Sequence, residues 1–394
     1  MFAKTMTMFF SILMLVMAAS CGPPTTTGLP RTAPAIPPEL YDSTQIIPDK
    51  HLMAAVRESL SKPEGVISHS DLAGVTSILA ERKDVWVLTG LEYCTNLKRL
   101  ELAGNSNITD ISALSALTSL ESLTLGGTRA TDLSPLSTLI NLRVLEDAGS
   151  ALISDISAFA TLKNLEYLTI HGQNINDISS LAQLSKLREL DIGSNPIRDI
   201  SPLANLIELT SLGLPYIEAR DFSVLSSLQN LTYLRLDRNE IADVSFLSGL
   251  RSLSVLSLGW NNVADVAPLS SLASLHELWL DYNQISDIRH LQSLDSLIVL
   301  NLAGNKVSDI SALAKLGNLQ VLDLSENKVS DISALASVSQ LTTLRLANNR
   351  VSDLSPIASL SSLRLLLVLE GNPLNEESRN TIVTELRAND IDVR

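Results

Sequence analysis

Twelve aspartates recur along the chain at nearly constant spacing: Asp110, Asp132, Asp155, Asp177, Asp199, Asp221, Asp243, Asp265, Asp287, Asp309, Asp331 and Asp353. A row of carboxylates could bind hard cations, but such sites need several oxygens converging on one ion. One carboxylate per repeat does not converge, so no metal is assigned. An Asp just before a helical return can instead accept the N–H groups that begin it, as an N-cap does. Histidine offers no better chemistry. The five His residues are scattered, and His171 and His276 sit five repeats apart, roughly 24 Å at the spacing of neighbouring strands. Neither His51 nor His69 has a nucleophile or carboxylate constellation beside it. The sequence lacks G-x-S-x-G, H-E-x-x-H, a P-loop and paired cysteines. No catalytic residue and no cofactor are assigned, and the chain reads as a non-enzyme.

The elements that carry this row repeat with a 22-residue period, seen in Asn318 to Ser339, NLQVLDLSENKVSDISALASVS. Such a period means a solenoid, whose turns bury apolar faces only against one another. Leu322 and Leu324 alternate with Val321 and Asp323, the signature of a short strand with one buried face. Val329, Ile332, Leu335 and Val338 follow at spacings of three and suit a 3₁₀ or helical return to the same core. Asn327 lies inside this apolar register, and the same place holds Asn105, Asn195, Asn239, Asn261, Asn283, Asn305 and Asn349, but Thr128, Ser150, Gln173 and Ile217 elsewhere. An Asn side chain carries two donors and an acceptor, so a stack of them can bridge loops in successive turns.

The pattern L-x-x-L-x-L-x-x-N-x-[IV]-x-D-[IVL]-x-x-L-x-x-L resembles the leucine-rich repeat in the 22-residue form of bacterial internalins. The resemblance implies an α/β solenoid: a curved horseshoe with a parallel β-sheet on its concave face, short 3₁₀ or helical returns on its convex face, and helical caps at both ends. It also implies recognition of other macromolecules without naming the partner.

Residues 1–20 read as a secretory signal peptide, with Lys4, an apolar run from Met8 and small residues at the end. AASCG resembles the bacterial lipobox, which implies acylation of Cys21 and an extracytoplasmic protein held to a bacterial membrane. Gly22 after the Cys fits an outer-membrane or surface destination better than inner-membrane retention. Stable anchoring needs more than one acyl chain. Residues 21–47 form the lipidated Cys and a Pro/Thr-rich tether without apolar periodicity, able to extend up to about 80 Å. Residues 48–96 form an N-terminal helical cap, with Asp49 as its N-cap, and a first partial repeat in which Cys94 takes a Leu position as a small buried hydrophobe. Residues 97–371 are the solenoid and residues 372–394 the C-terminal cap. Asp147 stands at a strand Leu position and predicts a bulge or shifted strand. Pro215 and Ile217 predict an interrupted Asn row. In the last turn Leu363, Leu366 and Leu369 are expected inside.

Function is expected on the concave face, where strand residues between the inward leucines form columns. Those columns and their flanks hold Tyr167, His171, Tyr216, Tyr233, Arg235, Asp237, Arg238, Trp260, His276, Trp279, Asp281 and Tyr282, the candidate ligand-binding residues. Aromatic residues and Arg dominate binding hot spots, and five of these aromatics fall in four consecutive repeats. Glu101, Glu121, Glu146, Glu166, Glu189 and Asp191 predict an acidic surface on the first turns. The net charge of −14 argues against nucleic acid, whose phosphates need a basic footprint. The expected partner of this monomer is a protein. A glycan stacked on the Trp and Tyr rings is the alternative.

Overall fold

The computed structural model describes residues 36–147, 153–358 and 360–394. The signal peptide, Cys21, the tether up to residue 35 and Ser150 lie outside these. Among the described residues, fourteen strands of three residues form one parallel sheet, from β1 (Ser77–Leu79) to β14 (Leu366–Val368), in strict chain order. Each repeat adds one strand and one 3₁₀ return, such as Ser311–Lys315 and Ser333–Ser337. The middle residue of a strand faces the core, so Leu278, Leu300 and Leu322 stack in register with no exposure while their neighbours on either side remain half-buried.

Polar residues inside this register are matched. Asn305 donates from Nδ2 to the carbonyls of Leu280 in the preceding turn and Leu302 in its own, at 2.9 and 3.0 Å, and Oδ1 accepts Ile285 N–H at 3.0 Å. The same clamp continues from Asn239 to Asn372. Gln173 keeps one arm of the clamp, its Oε1 accepting Ile153 N–H at 3.2 Å, whereas opposite Ile217 and Thr128 the preceding loop bonds internally, Ile197 N–H to Asn195 O and Ile108 N–H to Asn105 O. The interruption expected at Ile217 is therefore present, and its donor is satisfied locally. Each Asp of the row accepts the backbone N–H two residues on, as with Asp309 and Ser311 at 2.8 Å. That bond holds the Asp309 and Asp331 carboxyls below the usual range.

Three expectations are corrected. Ile36 to Ile47 is not tether: Ile47 is buried, Ile46 packs on the core, and Tyr41 bridges Asp49. Gly90, at φ 95°, makes room, since a Cβ there would collide with Ile46 O. The apolar pair Ile46–Ile47 outweighs the Pro/Thr composition around it. Asp147 causes no shift, because β4 (Val144–Glu146) pairs in register with both neighbours and Asp147 N–H donates to Thr169 O. In the last turn Leu367 takes the inward place, aligned with Leu344, so the extra residue falls between Leu363 and the strand.

Both ends are covered. Helix α1 (Lys50–Leu60) buries Leu52, Met53, Ala55 and Val56. Its N-cap Asp49, itself buried, accepts Leu52 N–H on one oxygen and Trp86 N–H and Val87 N–H on the other, tying the cap to the first turn. Cys94 is buried, and its thiol is pushed up to about 12 by that burial, which keeps it unreactive. A second short helix, α2 (His69–Ala73), precedes β1, and α3 (Val383–Ala388) closes the other end with Ile382, Val383 and Leu386 inside. The final residues pair with β14 through Leu367 N–H to Asp392 O and Leu369 N–H to Arg394 O, which covers that sheet edge.

Replacing Asn305 by Ala is expected to cost about 1–3 kcal/mol, because buried Ile285 N–H loses its acceptor, while the carbonyls of Leu280 and Leu302 keep only Asn283 and Asn327 as amide donors. The shift in the chemical denaturation midpoint measures it.

Candidate recognition surface

Where each strand leaves the sheet, the residue just before the Asn position takes left-handed backbone. Gly fills that place at Gly104, Gly127, Gly172, Gly304 and Gly371, as a residue with no Cβ should. Ser194, Glu326 and Asn348 also take it, and in four consecutive repeats it is a bulky residue, Tyr216, Arg238, Trp260 and Tyr282, with φ of 53°, 60°, 57° and 51°. A side chain in this conformation costs roughly 1–2 kcal/mol. Four bulky residues therefore occupy the least favourable place in their repeats.

Three of them form a stack. The Arg238 guanidinium lies 4.7 Å from the Trp260 ring centre, and the Trp260 and Tyr282 rings are 4.1 Å apart at 26°. Tyr282 in turn lies over Gly304, where a Cβ would come within 2.5 Å of the ring, and its hydroxyl donates to Glu326 Oε1 at 3.2 Å. Successive turns bring these groups together because strands repeat every 4.8 Å or so. Trp260 is 47% exposed and Tyr282 37%, so the stack is open to solvent.

Beside the stack, on the sheet, β8 (Tyr233–Arg235) places Arg235 within 3.6 Å of Asp191 and 3.8 Å of Asp237. Asp237 accepts a hydrogen bond from Ser257 Oγ, and burial pushes its carboxyl up despite Ser257 and Arg235. Asp281 is lifted to about 6, first by burial and then by the charges of Asp237 and Asp323. Burial also raises the Tyr233 hydroxyl. Trp279 ends β10 (Glu277–Trp279) and pairs with Ser257 of β9 (Val255–Ser257).

Not every expected residue joins this group. Tyr167 begins β5 (Tyr167–Thr169), three strands before β8 and so roughly 14 Å away. His171 follows the same strand, with its buried Nδ1 outside any hydrogen bond. His276 precedes β10 while Tyr282 follows it, which puts the two at opposite edges of the sheet; its Nδ1 contacts Ser274 O and Ser254 Oγ. The residues that sequence reasoning passed over are Ser257, Gly213 and Gly259, whose smallness opens the face. The Gly column before the Asn row was the available signal for the left-handed turn.

The first turns are less acidic than their composition suggests. Glu121 pairs with Lys98 at 2.9 Å and Glu166 with Arg143 at 2.8 Å along a groove of about 570 Å³. Glu146 and Glu189 are raised by burial. Among the described residues no group of three or more His, Cys, Asp or Glu could hold a metal.

A one-sheet parallel solenoid with an Asn ladder, 3₁₀ returns and capped ends defines the class of leucine-rich repeat proteins, whose curvature creates extended concave binding surfaces. A family model described as leucine-rich repeats in two copies matches residues 95–138, 163–205 and 295–337. The crystal structure of an internalin, InlF, from Listeria monocytogenes is 35% identical, with 84% of this chain and 96% of that one covered and a TM-score of 0.78. A Leptospira interrogans LRR protein is 23% identical over 83% of this chain and 97% of its own, with a TM-score of 0.69. InlJ of Listeria monocytogenes follows at 19%, covering 81% and 79%, with a TM-score of 0.63. No curated protein matches the sequence. The chain belongs to the leucine-rich repeat family, of the internalin type.

Trp260→Gly is expected to leave the denaturation midpoint nearly unchanged, within about 1 kcal/mol. Relief of a left-handed side chain, roughly 1–2 kcal/mol, offsets the lost ring stacking of about 0.5–1.5 kcal/mol.

Proposed function

We propose that this chain is a surface-displayed recognition module that docks a protein on its concave face, between β7 (Ser211–Gly213) and β11 (Val299–Asn301). The observation that carries the reading is the Arg238–Trp260–Tyr282 stack, held in backbone that disfavours such side chains. Strain of this kind persists where function requires it. Aromatic rings lose little conformational entropy when a partner covers them, and aromatic residues and Arg supply most of the energy at interface centres.

A protein fits better than a sugar. Stacking on a sugar ring needs a free aromatic face, and Trp260 lies between Arg238 from one neighbouring turn and Tyr282 from the other. Trp279, which contacts no other ring among the described residues, supports a glycan as the second reading. Among the described residues no helix is long and apolar enough to cross a membrane. The proposed display outside the cytoplasm rests on acyl chains at Cys21, with the residues between it and Ile36 as the tether.

Against a panel of purified ectodomains, Trp279→Ala is expected to weaken the bound partner by about tenfold or more, the effect of a hot-spot residue, with an unchanged melting temperature. Equal binding would place the site elsewhere, and competition by free glycans would favour the second reading. Cys21→Ser is expected to abolish acylation and release the protein in soluble form; retention of the mutant in membranes would count against the anchor.

A further inference from the structure

We propose that the partner on this face is basic, and that one of its lysine or arginine side chains enters a notch between Asp237 and Asp281. The inference rests on the recognition reading above and adds the chemistry of the partner.

The notch is made by small residues. Ser257 and Gly259 form its floor, and Asp281 leans across it, since a Cβ on Gly259 would lie 2.8 Å from Asp281 Oδ1. On the other side Asp237 is fixed by Ser257 Oγ. Trp279, beside Ser257 in the neighbouring strand and two residues before Asp281, supplies an apolar wall for the stem of a long side chain.

What is missing is a cation. The neighbouring aspartates of this face have theirs: Arg235 lies between Asp191 and Asp237, and Arg345 of β13 (Thr343–Arg345) pairs with Asp323 at 3.5 Å. Arg238 exerts some pull on Asp281, yet its guanidinium lies over Trp260 and forms no ion pair. Asp281 is left without an ion pair among the described residues. A largely desolvated carboxylate beside like charges is unfavourable until a cation joins it. An arriving ammonium or guanidinium meets complementary charge on one side and an indole on the other.

Random peptides displayed on phage and selected on the full-length chain provide the probe. Among those that Trp279→Ala weakens by about tenfold, the expected binders carry a Lys or Arg. Replacing that residue by norleucine is expected to cost about tenfold against the native chain and less than about twofold against Asp281→Asn, the signature of a coupled pair. Glu376→Gln, which removes a charge from the exposed C-terminal cap, leaves binding unchanged. Acid supplies a second readout: the Asp281 carboxyl is charged above about 6 and neutral below it. Facing it are Asp237 and Asp323, which raise that value, and Arg238, which lowers it. Moving from pH of about 7.5 to about 5 should therefore weaken the peptides by about tenfold in the native chain and distinctly less in Asp281→Asn, where Asp237, also raised by burial, is the remaining carboxylate of the notch. Peptides sensitive to Trp279→Ala but lacking a basic residue, or equally dependent on it in Asp281→Asn, overturn the cation notch and spare the recognition surface. Selection of no peptide sensitive to Trp279→Ala overturns both.

Discussion

One side-chain amide satisfying backbone groups in two turns is the interaction on which this fold depends. Leucines supply the driving force for stacking, but apolar contact is nondirectional and would tolerate sliding of one turn over the next. The amides do not tolerate it. Asn305 reaches Leu280 O and Ile285 N–H only when the turns are in register, and slippage would leave buried donors and acceptors unmatched. The aspartates complete the frame by starting each 3₁₀ return at the same place. A rigid register then sets the strand positions, and the strand positions set the columns of the concave face.

The same constraint produces the strained turn. For the Asn to point inward, the residue before it adopts left-handed backbone, so a stack of repeats automatically presents a column of residues at one rim. Where that column is Gly it is silent. Where it is Arg238, Trp260 and Tyr282 it becomes a ladder of planar groups at the strand spacing, close to the optimum for stacking. The site is thus an elaboration of the scaffold's own geometry and needs no inserted loop.

Much of this could be read from spacing alone. Period, strand face, return path, caps and ladder follow from where Leu, Asn and Asp recur. Local exceptions were harder. The run Leu365-Leu366-Leu367 offers three equivalent choices, and only pairing with β13 selects Leu367. Ile46 and Ile47 look like part of a Pro/Thr-rich segment until Gly90 is seen beneath them. On the concave face the columns were legible, but contact between columns was not. The lean of Asp281 across Gly259, and the bond from Ser257 to Asp237, depend on which neighbours are small. His276 and Tyr282, six positions apart in sequence, were grouped together although the strand carries them to opposite edges.

The break in the Asn clamp at Ile217 divides the molecule. From Asn239 onward every loop is bolted to the next by a side-chain amide, so those turns should open together as a single cooperative block. At Ile217 no side-chain amide reaches back and Ile197 N–H bonds within its own loop, leaving leucine packing, strand pairing and the backbone bonds Ser194 N–H to Pro215 O and Glu218 N–H to Ile197 O to carry that junction. The seam falls beside Tyr216, at the border of the stacked rim. A ligand seated across it would join two blocks that are otherwise more loosely coupled, and occupancy should register as slower amide hydrogen exchange on both sides of the junction.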